Sequence, residues 1–443
     1  MSKLQNRKVK ILVILLATIS FPSLSQTNED LSISFVKQLE RQQFDSCYRM
    51  FDTIMASKFS ASMLEGMWQS IPKYMGDYKS YSTVSSEKKD TLDLVYVRCE
   101  FEKTKMDLQF AFNQSKKIVG MYFVPPKNKA AYAYPEYSLP HKFYETKITL
   151  KSGSYSLPGI LCVPNNIKNP PVAILLAGSG PNDKDETIGA NKVLKDIALG
   201  LASNGIASYR YDKRTLAYGK EMTEKIEEFD LYDEVIEDAI SAIKMINKNP
   251  EFKASKVYII GHSLGAMCAP LIASKSKKVS GIVLLAGNAR PLEDVVFDQY
   301  NYIFGLDSID KSEEKEILEF RKKMQIVKTP TLLKAAKMQD LPLNGTSKYW
   351  QSLVKYNQVQ VAKKLRQPIL VFQGERDYQV TMIDFNLWKQ NLADNTKNKF
   401  ISYPALNHLL MKGEGKSTPQ EYEIQGNVDE KIILDITSWI KEK

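Results

Sequence analysis

The sequence predicts an α/β protein: a mostly parallel sheet covered by helices on both faces, with a small α+β unit ahead of it. Three observations predict this. From about Tyr144 onward, short apolar runs alternate with segments of helical period, the pattern of strands buried under helices. Before Pro126 the order differs, with two helical stripes followed by runs that alternate apolar and polar. Between the two lies a stretch rich in Pro and Tyr. At 443 residues, with 43% apolar and 25% charged side chains, the chain is long enough for two globular domains and is not of disordered composition.

Residues 1–25 have the parts of a secretory signal: Lys3, Arg7, Lys8 and Lys10, an apolar run to Ile19, and small residues Ser23 and Ser25 before a cut near Gln26. The run is short for a bilayer span and no cysteine follows the cut, so the mature chain is expected to be exported, periplasmic or secreted, without stable membrane insertion. The formal charge of +10 falls to about +6 without those four cations. No basic patch with interleaved aromatics accompanies it, so no nucleic-acid partner is expected.

The small domain spans 26–126. Leu31 to Gln42 and Met63 to Tyr74 read as helices; Tyr78 to Ser85, Leu92 to Phe101, Met106 to Phe112 and Ile118 to Phe123 read as antiparallel strands. Of the four cysteines, Cys47 and Cys99 fall in this domain, and the sequence leaves open whether they pair. Cys162 and Cys268 sit in apolar surroundings, and no C-x-x-C spacing suggests a metal. A linker, 127–140, follows.

In the large domain, 141–443, Tyr144 to Leu150 and Leu157 to Val163 read as an antiparallel pair. Strands are then expected at Val172 to Leu176, Ile206 to Tyr211, Val257 to Ile260, Ile282 to Leu285, Ile369 to Phe372 and Phe400 to Tyr403. Helices are expected at Val193 to Ser203, Tyr232 to Asn247, Leu264 to Ser274, Ile383 to Leu392 and Asp429 to Lys441. The stretch 290–364 interrupts the alternation with a helical, aromatic-rich insertion.

The chemistry centres on Val257 to Gly265, VYIIGHSLG. A buried strand runs into Gly261-His262-Ser263-Leu264-Gly265 and then into a helix, the setting of a nucleophile elbow. A serine hydroxyl needs a base within hydrogen-bond reach. Of three histidines, His141 lies in or beside the linker and His262 points away from its neighbour Ser263, which leaves His408, on a loop after the last strand. Asp377, in the turn after the strand at Ile369, is the choice for the acid that orients it, with Glu375 and Asp384 as alternatives. The oxyanion donors expected are Leu264 N–H, directly after the nucleophile, and Ser179 N–H, in the glycine-bounded loop after Val172 to Leu176. That loop has no G-K-[ST] and not the Rossmann spacing, which argues against nucleotide binding. Asp212, Lys213 and Arg214 read as a structural ion-pair cluster. Trp350 and Tyr302, in the insertion, are the picks for substrate contact.

Gly178-Ser179-Gly180-Pro181-Asn182-Asp183-Lys184-Asp185, Tyr211-Asp212-Lys213-Arg214, the G-H-S-x-G at Ser263, the G-x-x-D ending at Asp377 and the Asn407-His408 loop together resemble exported bacterial enzymes of the α/β-hydrolase superfamily, of the esterase and serine-peptidase-like kind. The departure is Thr215-Leu216-Ala217-Tyr218-Gly219, where relatives commonly have two glycines. The resemblance implies an α/β-hydrolase fold, a helical cap over the site and hydrolysis of a small-molecule or carbohydrate-linked carboxylic ester without cofactor or metal. A serine exo-peptidase and a non-catalytic binding protein are the alternatives. The order of elements in 26–126 resembles nuclear-transport-factor-2-like domains, which bind small molecules, dimerise or fill space. A homodimer through that domain is left open.

Overall fold

The structure is a computed structural model and describes residues 27–442 except 90, 125, 127–131, 253, 254, 307, 308 and 310. The segment read as a secretory signal and part of the linker lie outside the described residues. The chain divides into two compact units at Lys127/Asn128.

In the first unit, the helix Asn28–Glu40 starts at a capping box: Asp30 N–H donates to Thr27 Oγ1 and Thr27 N–H donates back to Asp30 Oδ2. Ser60 caps Ala61–Met75 by a single bond, its Oγ accepting Met63 N–H. Two short helices, Phe44–Tyr48 and Thr53–Lys58, connect them. Four strands, Tyr78–Lys89, Leu92–Phe101, Lys105–Phe112 and Ile118–Val124, form an antiparallel meander. Phe35, Leu39, Val95, Val97, Phe110 and Phe112 fill the space between helices and sheet. Cys47 and Cys99 are free thiols buried in this core, and burial pushes each up to about 12.

The second unit is built on one eight-stranded sheet. Its order is Lys399–Tyr403, Ile369–Gly374, Val279–Leu285, Val257–His262, Val172–Leu176, Ala207–Tyr211, Gly159–Pro164, Phe143–Lys147. The first six strands are parallel, Gly159–Pro164 runs antiparallel to them, and Phe143–Lys147 pairs antiparallel with Gly159–Pro164 in turn. The strand expected over Tyr144 to Leu150 instead ends at Lys147. A separate hairpin, Leu150–Ser152 with Tyr155–Leu157, turns at Gly153 (φ +57°) and carries the chain on to Gly159.

Residues of the central strand alternate between two cores. Val172, Ile174 and Leu176 face the helices Glu237–Lys248, Leu264–Lys275 and Met382–Leu392, while Ala173 and Leu175 face Val193–Ser203 and Glu430–Lys441. Both faces are thus covered, which is why these strands read as continuous apolar runs. From Val172–Leu176 the chain goes to Ala207–Tyr211 on one side of it and next to Val257–His262 on the other, so its carboxyl end is a topological switch point. The insertion 290–364 carries the helices Leu292–Phe304, Lys311–Lys328, Pro330–Ala335, Ser347–Val354 and Gln358–Lys363.

Candidate active site

The strand Val257–His262 is buried throughout and ends in a turn that only small neighbours permit. Ser263 has φ +52° and ψ −117°, a strained conformation for any residue with a side chain. A Cβ on Gly261 would lie 2.3 Å from the Gly265 carbonyl, and one on Gly265 would lie 2.4 Å from Leu176 O. Both contacts are with backbone, which cannot swing aside. Gly265→Ala is therefore expected to cost about 3 kcal/mol or more, or to prevent folding, read as a shift of the urea midpoint at constant slope. Ser263 N–H donates to Leu285 O, which fixes the turn against the next strand. Leu264 opens the helix, so its N–H has no partner within the helix and points out with the positive end of the helix dipole.

His408 follows Lys399–Tyr403 on a loop held by Asn407, whose Oδ1 accepts Leu409 N–H and Met411 N–H. His408 Nδ1 lies 2.8 Å from Asp377 Oδ2. The carboxylate of Asp377 is fully used: Oδ1 accepts Gln379 N–H and Val380 N–H, and Oδ2 also accepts Gln373 Nε2 at 2.9 Å. Both residues are buried, at 4% exposure. The two alternatives for the acid are engaged elsewhere. Glu375 is exposed and accepts from Ser402 Oγ; Asp384 is buried against Arg290 and the Ala289 and Arg290 N–H groups. His408 is tied to the elbow through its own carbonyl oxygen, 2.9 Å from Nε2 of His262, the residue before Ser263.

The loop after Val172–Leu176 approaches Ser263 so closely that a Cβ on Gly178 would be 3.2 Å from Ser263 Cβ. Three successive N–H groups of this loop have different fates. Gly178 N–H donates to Glu186 Oε1 at 2.6 Å and Gly180 N–H to Glu234 Oε1 at 3.1 Å. Between them, Ser179 N–H makes no hydrogen bond among the described residues. Two buried carboxylates thus hold the loop by its flanking amides and leave the middle one open.

Lys213 completes the brace. Its Nζ donates to Gly178 O and to Glu234 Oε1, both at 2.8 Å. Burial, the largest single influence, would raise the Glu234 carboxyl; the Lys213 charge together with hydrogen bonds from Lys213, Tyr349 and Gly180 N–H outweighs it and holds the group below the ordinary carboxylate range. Nearby, Asp212 pairs with Lys184 and Arg214 with Asp238, so this stretch is a set of ion pairs at a strand end.

Residues 32–121 match a family described as a protein of unknown function, DUF3887. Residues 190–415 match the family described as serine aminopeptidase, S33. Over 411 residues the chain is 34% identical to esterase EstD of Thermotoga maritima, covering 92% of this chain and 93% of that protein. The chain belongs to the S33 serine aminopeptidase family of α/β-hydrolases. It is an esterase-type hydrolase, related over nearly its whole length to a named esterase. Among solved structures it is similar to Est1E from Butyrivibrio proteoclasticus (16% identity, 67% of this chain and 96% of that one, TM-score 0.43). It is similar as well to an esterase of Pyrococcus furiosus (15% identity, 71% and 97%, TM-score 0.42). Likeness this distant says nothing about the reaction.

In this S33 hydrolase a cavity of about 430 Å³ opens beside the Gly178 loop, lined among others by Ser179, Met222, Phe229, Glu234, Leu343 and Tyr349. The two expected substrate contacts are elsewhere. Trp350 is 2% exposed in the large hydrophobic core, with Nε1 donating to Pro342 O. It is a packing residue, and its neighbour Tyr349 lines the cavity and donates to Glu234 Oε2 at 2.5 Å. Tyr302 stacks on Tyr378, which stacks in turn on Tyr422, and its hydroxyl donates to Ser417 O; it braces the segment beside Asp377 and lines no part of the cavity.

Sequence reasoning missed Glu186, Glu234 and His262. The available signals were weak. Glu234 sits in a π-helical turn, Tyr232–Ile236, a local irregularity common at functional sites. His262 ends a strand buried on both faces, so its ring had to be buried, and a buried imidazole needs partners.

Proposed function

We propose that this enzyme cleaves carboxylic esters through an acyl-enzyme. Ser263 Oγ attacks the ester carbonyl carbon while His408 Nε2 takes the hydroxyl proton; the resulting oxyanion sits between Leu264 N–H and Ser179 N–H. Collapse breaks the bond to the alkoxy oxygen, which leaves with the proton from His408. A water then attacks the acyl-enzyme with the same base and restores Ser263. Asp377 keeps the proton on Nδ1 of His408 and balances the imidazolium that forms. The observation that carries the reading is the 2.8 Å contact of His408 Nδ1 with Asp377, on a loop whose His408 carbonyl is bonded to the residue before Ser263.

Esters are favoured over peptides with a free amino terminus. Holding an ammonium group needs a free carboxylate at the cavity. Glu234 is the one acidic residue among those lining it and is already engaged by Lys213. Glu313 is buried in the helix Lys311–Lys328 and does not line the cavity.

The purified protein should turn over p-nitrophenyl acetate and butyrate faster than any aminoacyl-p-nitroanilide, and a fluorophosphonate probe should label the peptide carrying Ser263 and abolish that turnover in proportion. Labelling at another residue, or full activity of the labelled protein, would end the assignment. We read residues 1–25 as an export signal; an intact mass of the periplasmic or secreted product beginning near Gln26 tests this. No helix among the described residues is long and apolar enough to cross a membrane.

A further inference from the structure

Beside Asp377 and His408 stands a second carboxylate–imidazole pair that the acyl-transfer scheme leaves unused. His262 Nδ1 is 2.9 Å from Glu186 Oε1, and His262 Nε2 is 2.9 Å from the backbone carbonyl oxygen of His408. Both side chains are 2% exposed, and the His262 and His408 ring centroids are 4.9 Å apart. A carbonyl oxygen only accepts. Glu186 Oε1 also takes the Gly178 N–H, at a distance short enough for a charged acceptor. A ring whose two nitrogens both face acceptors carries two N–H groups, which makes it an imidazolium with Glu186 as its counter-charge.

Each bond of this pair ends on part of the proposed machinery. His262 adjoins Ser263 in the chain, its Nε2–H holds the backbone of His408, and Glu186 holds the amide next to Ser179. We propose that His262, kept as an imidazolium by Glu186, is the positioning residue that fastens the base loop and the oxyanion loop to the nucleophile elbow. The proposal rests on the acyl-enzyme reading. Beside an ionised Glu186, a neutral His262 has one N–H and can hold either Glu186 or the His408 carbonyl, not both.

The electrostatics agree with the geometry. Burial is the largest single influence and opposes both charges, but the partner's charge and the hydrogen bonds to each group together outweigh it, lowering the Glu186 carboxyl and raising the His262 imidazole. The signs fix a window. A depressed carboxyl contributes above its unfolded value and is lost as pH falls through the folded one. A raised imidazole contributes fully below its unfolded value and is lost as pH rises through the folded one. The brace therefore fails on the alkaline side when His262 loses its proton. The other titratable groups facing the pair are Asp377, which favours the His262 cation, and His408, whose protonated form favours the Glu186 anion.

Glu186→Gln keeps the shape and an acceptor oxygen but removes the counter-charge. It is expected to lower kcat on p-nitrophenyl butyrate about 10- to 100-fold with KM nearly unchanged, and to move the alkaline limb of the kcat profile down by about one pH unit or more. A role in packing alone predicts a loss that does not depend on pH. Nitrogen-15 spectra of the wild type decide independently, because the chain has only three histidines. Near pH 8, where an ordinary imidazole of pKa about 6.5 is neutral, one ring should still carry two protons, and that signal should vanish in His262→Gln. A neutral His262 at that pH, or Glu186→Gln with unchanged kcat and unchanged limb, would overturn the proposal. The same spectrum taken on Ser263→Ala separates this from failure of the acyl-enzyme reading, since it requires no turnover.

Discussion

Ser263→Ala is expected to lower kcat on p-nitrophenyl butyrate by about 10⁴-fold or more, with KM changed little. Alanine removes only the nucleophilic oxygen, while the Leu264 and Ser179 amides and the cavity remain to bind substrate. What survives is the modest rate that binding and oxyanion stabilisation give to attack by water. Alanine also keeps a Cβ at φ +52°, so the strain of the elbow and the fold are unchanged. Ser263→Gly separates the two effects: it should be equally inactive yet more stable, by about 1 kcal/mol or more, because glycine meets no penalty in that conformation. Turnover within tenfold of wild type in the alanine variant would remove Ser263 from the mechanism.

What could be read from the sequence follows physical rules, and so does what could not. Val172–Leu176 and Val193–Ser203 are found at the bounds their pattern suggests, since a strand buried on both faces is apolar throughout and a helix of three turns shows its stripe. Phe44–Tyr48 and Thr53–Lys58 span too few residues to show a period at all. Ser263, Asp377 and His408 each stand just past the carboxyl end of a strand, a place that chain order and alternation disclose. Trp350 and Tyr349 are one residue apart, but one residue turns a helix face by about 100°, so Tyr349 lines the cavity while Trp350, the expected contact, packs in the core. The contact of Glu186 with His262 joins residues 76 apart and replaces hydration by a buried charge pair. Composition gives no hint of such a contact, because both residues look like ordinary surface groups until the fold removes the water.

Asp377→Asn should be the next largest loss, about 10³- to 10⁴-fold in kcat, from the exchange of a single oxygen for an amide nitrogen. Asp377 accepts four hydrogen bonds, two at each oxygen. The asparagine oxygen satisfies Gln379 N–H and Val380 N–H if it takes the Oδ1 place. Its NH₂ then faces two donors, Gln373 Nε2 and His408 Nδ1–H. The imidazole relieves its share of the conflict by moving its proton to Nε2, which puts a hydrogen where the serine proton should be received. The base is then present, correctly placed and in the wrong tautomer, so binding survives and chemistry does not. Glu375→Gln supplies the contrast. Glu375 is exposed and bonded to Ser402 rather than to His408, so its variant should stay within about twofold of wild type. If the two variants were equally impaired, or Asp377→Asn kept more than a tenth of wild-type kcat, Asp377 would not be the group that sets the tautomer of His408.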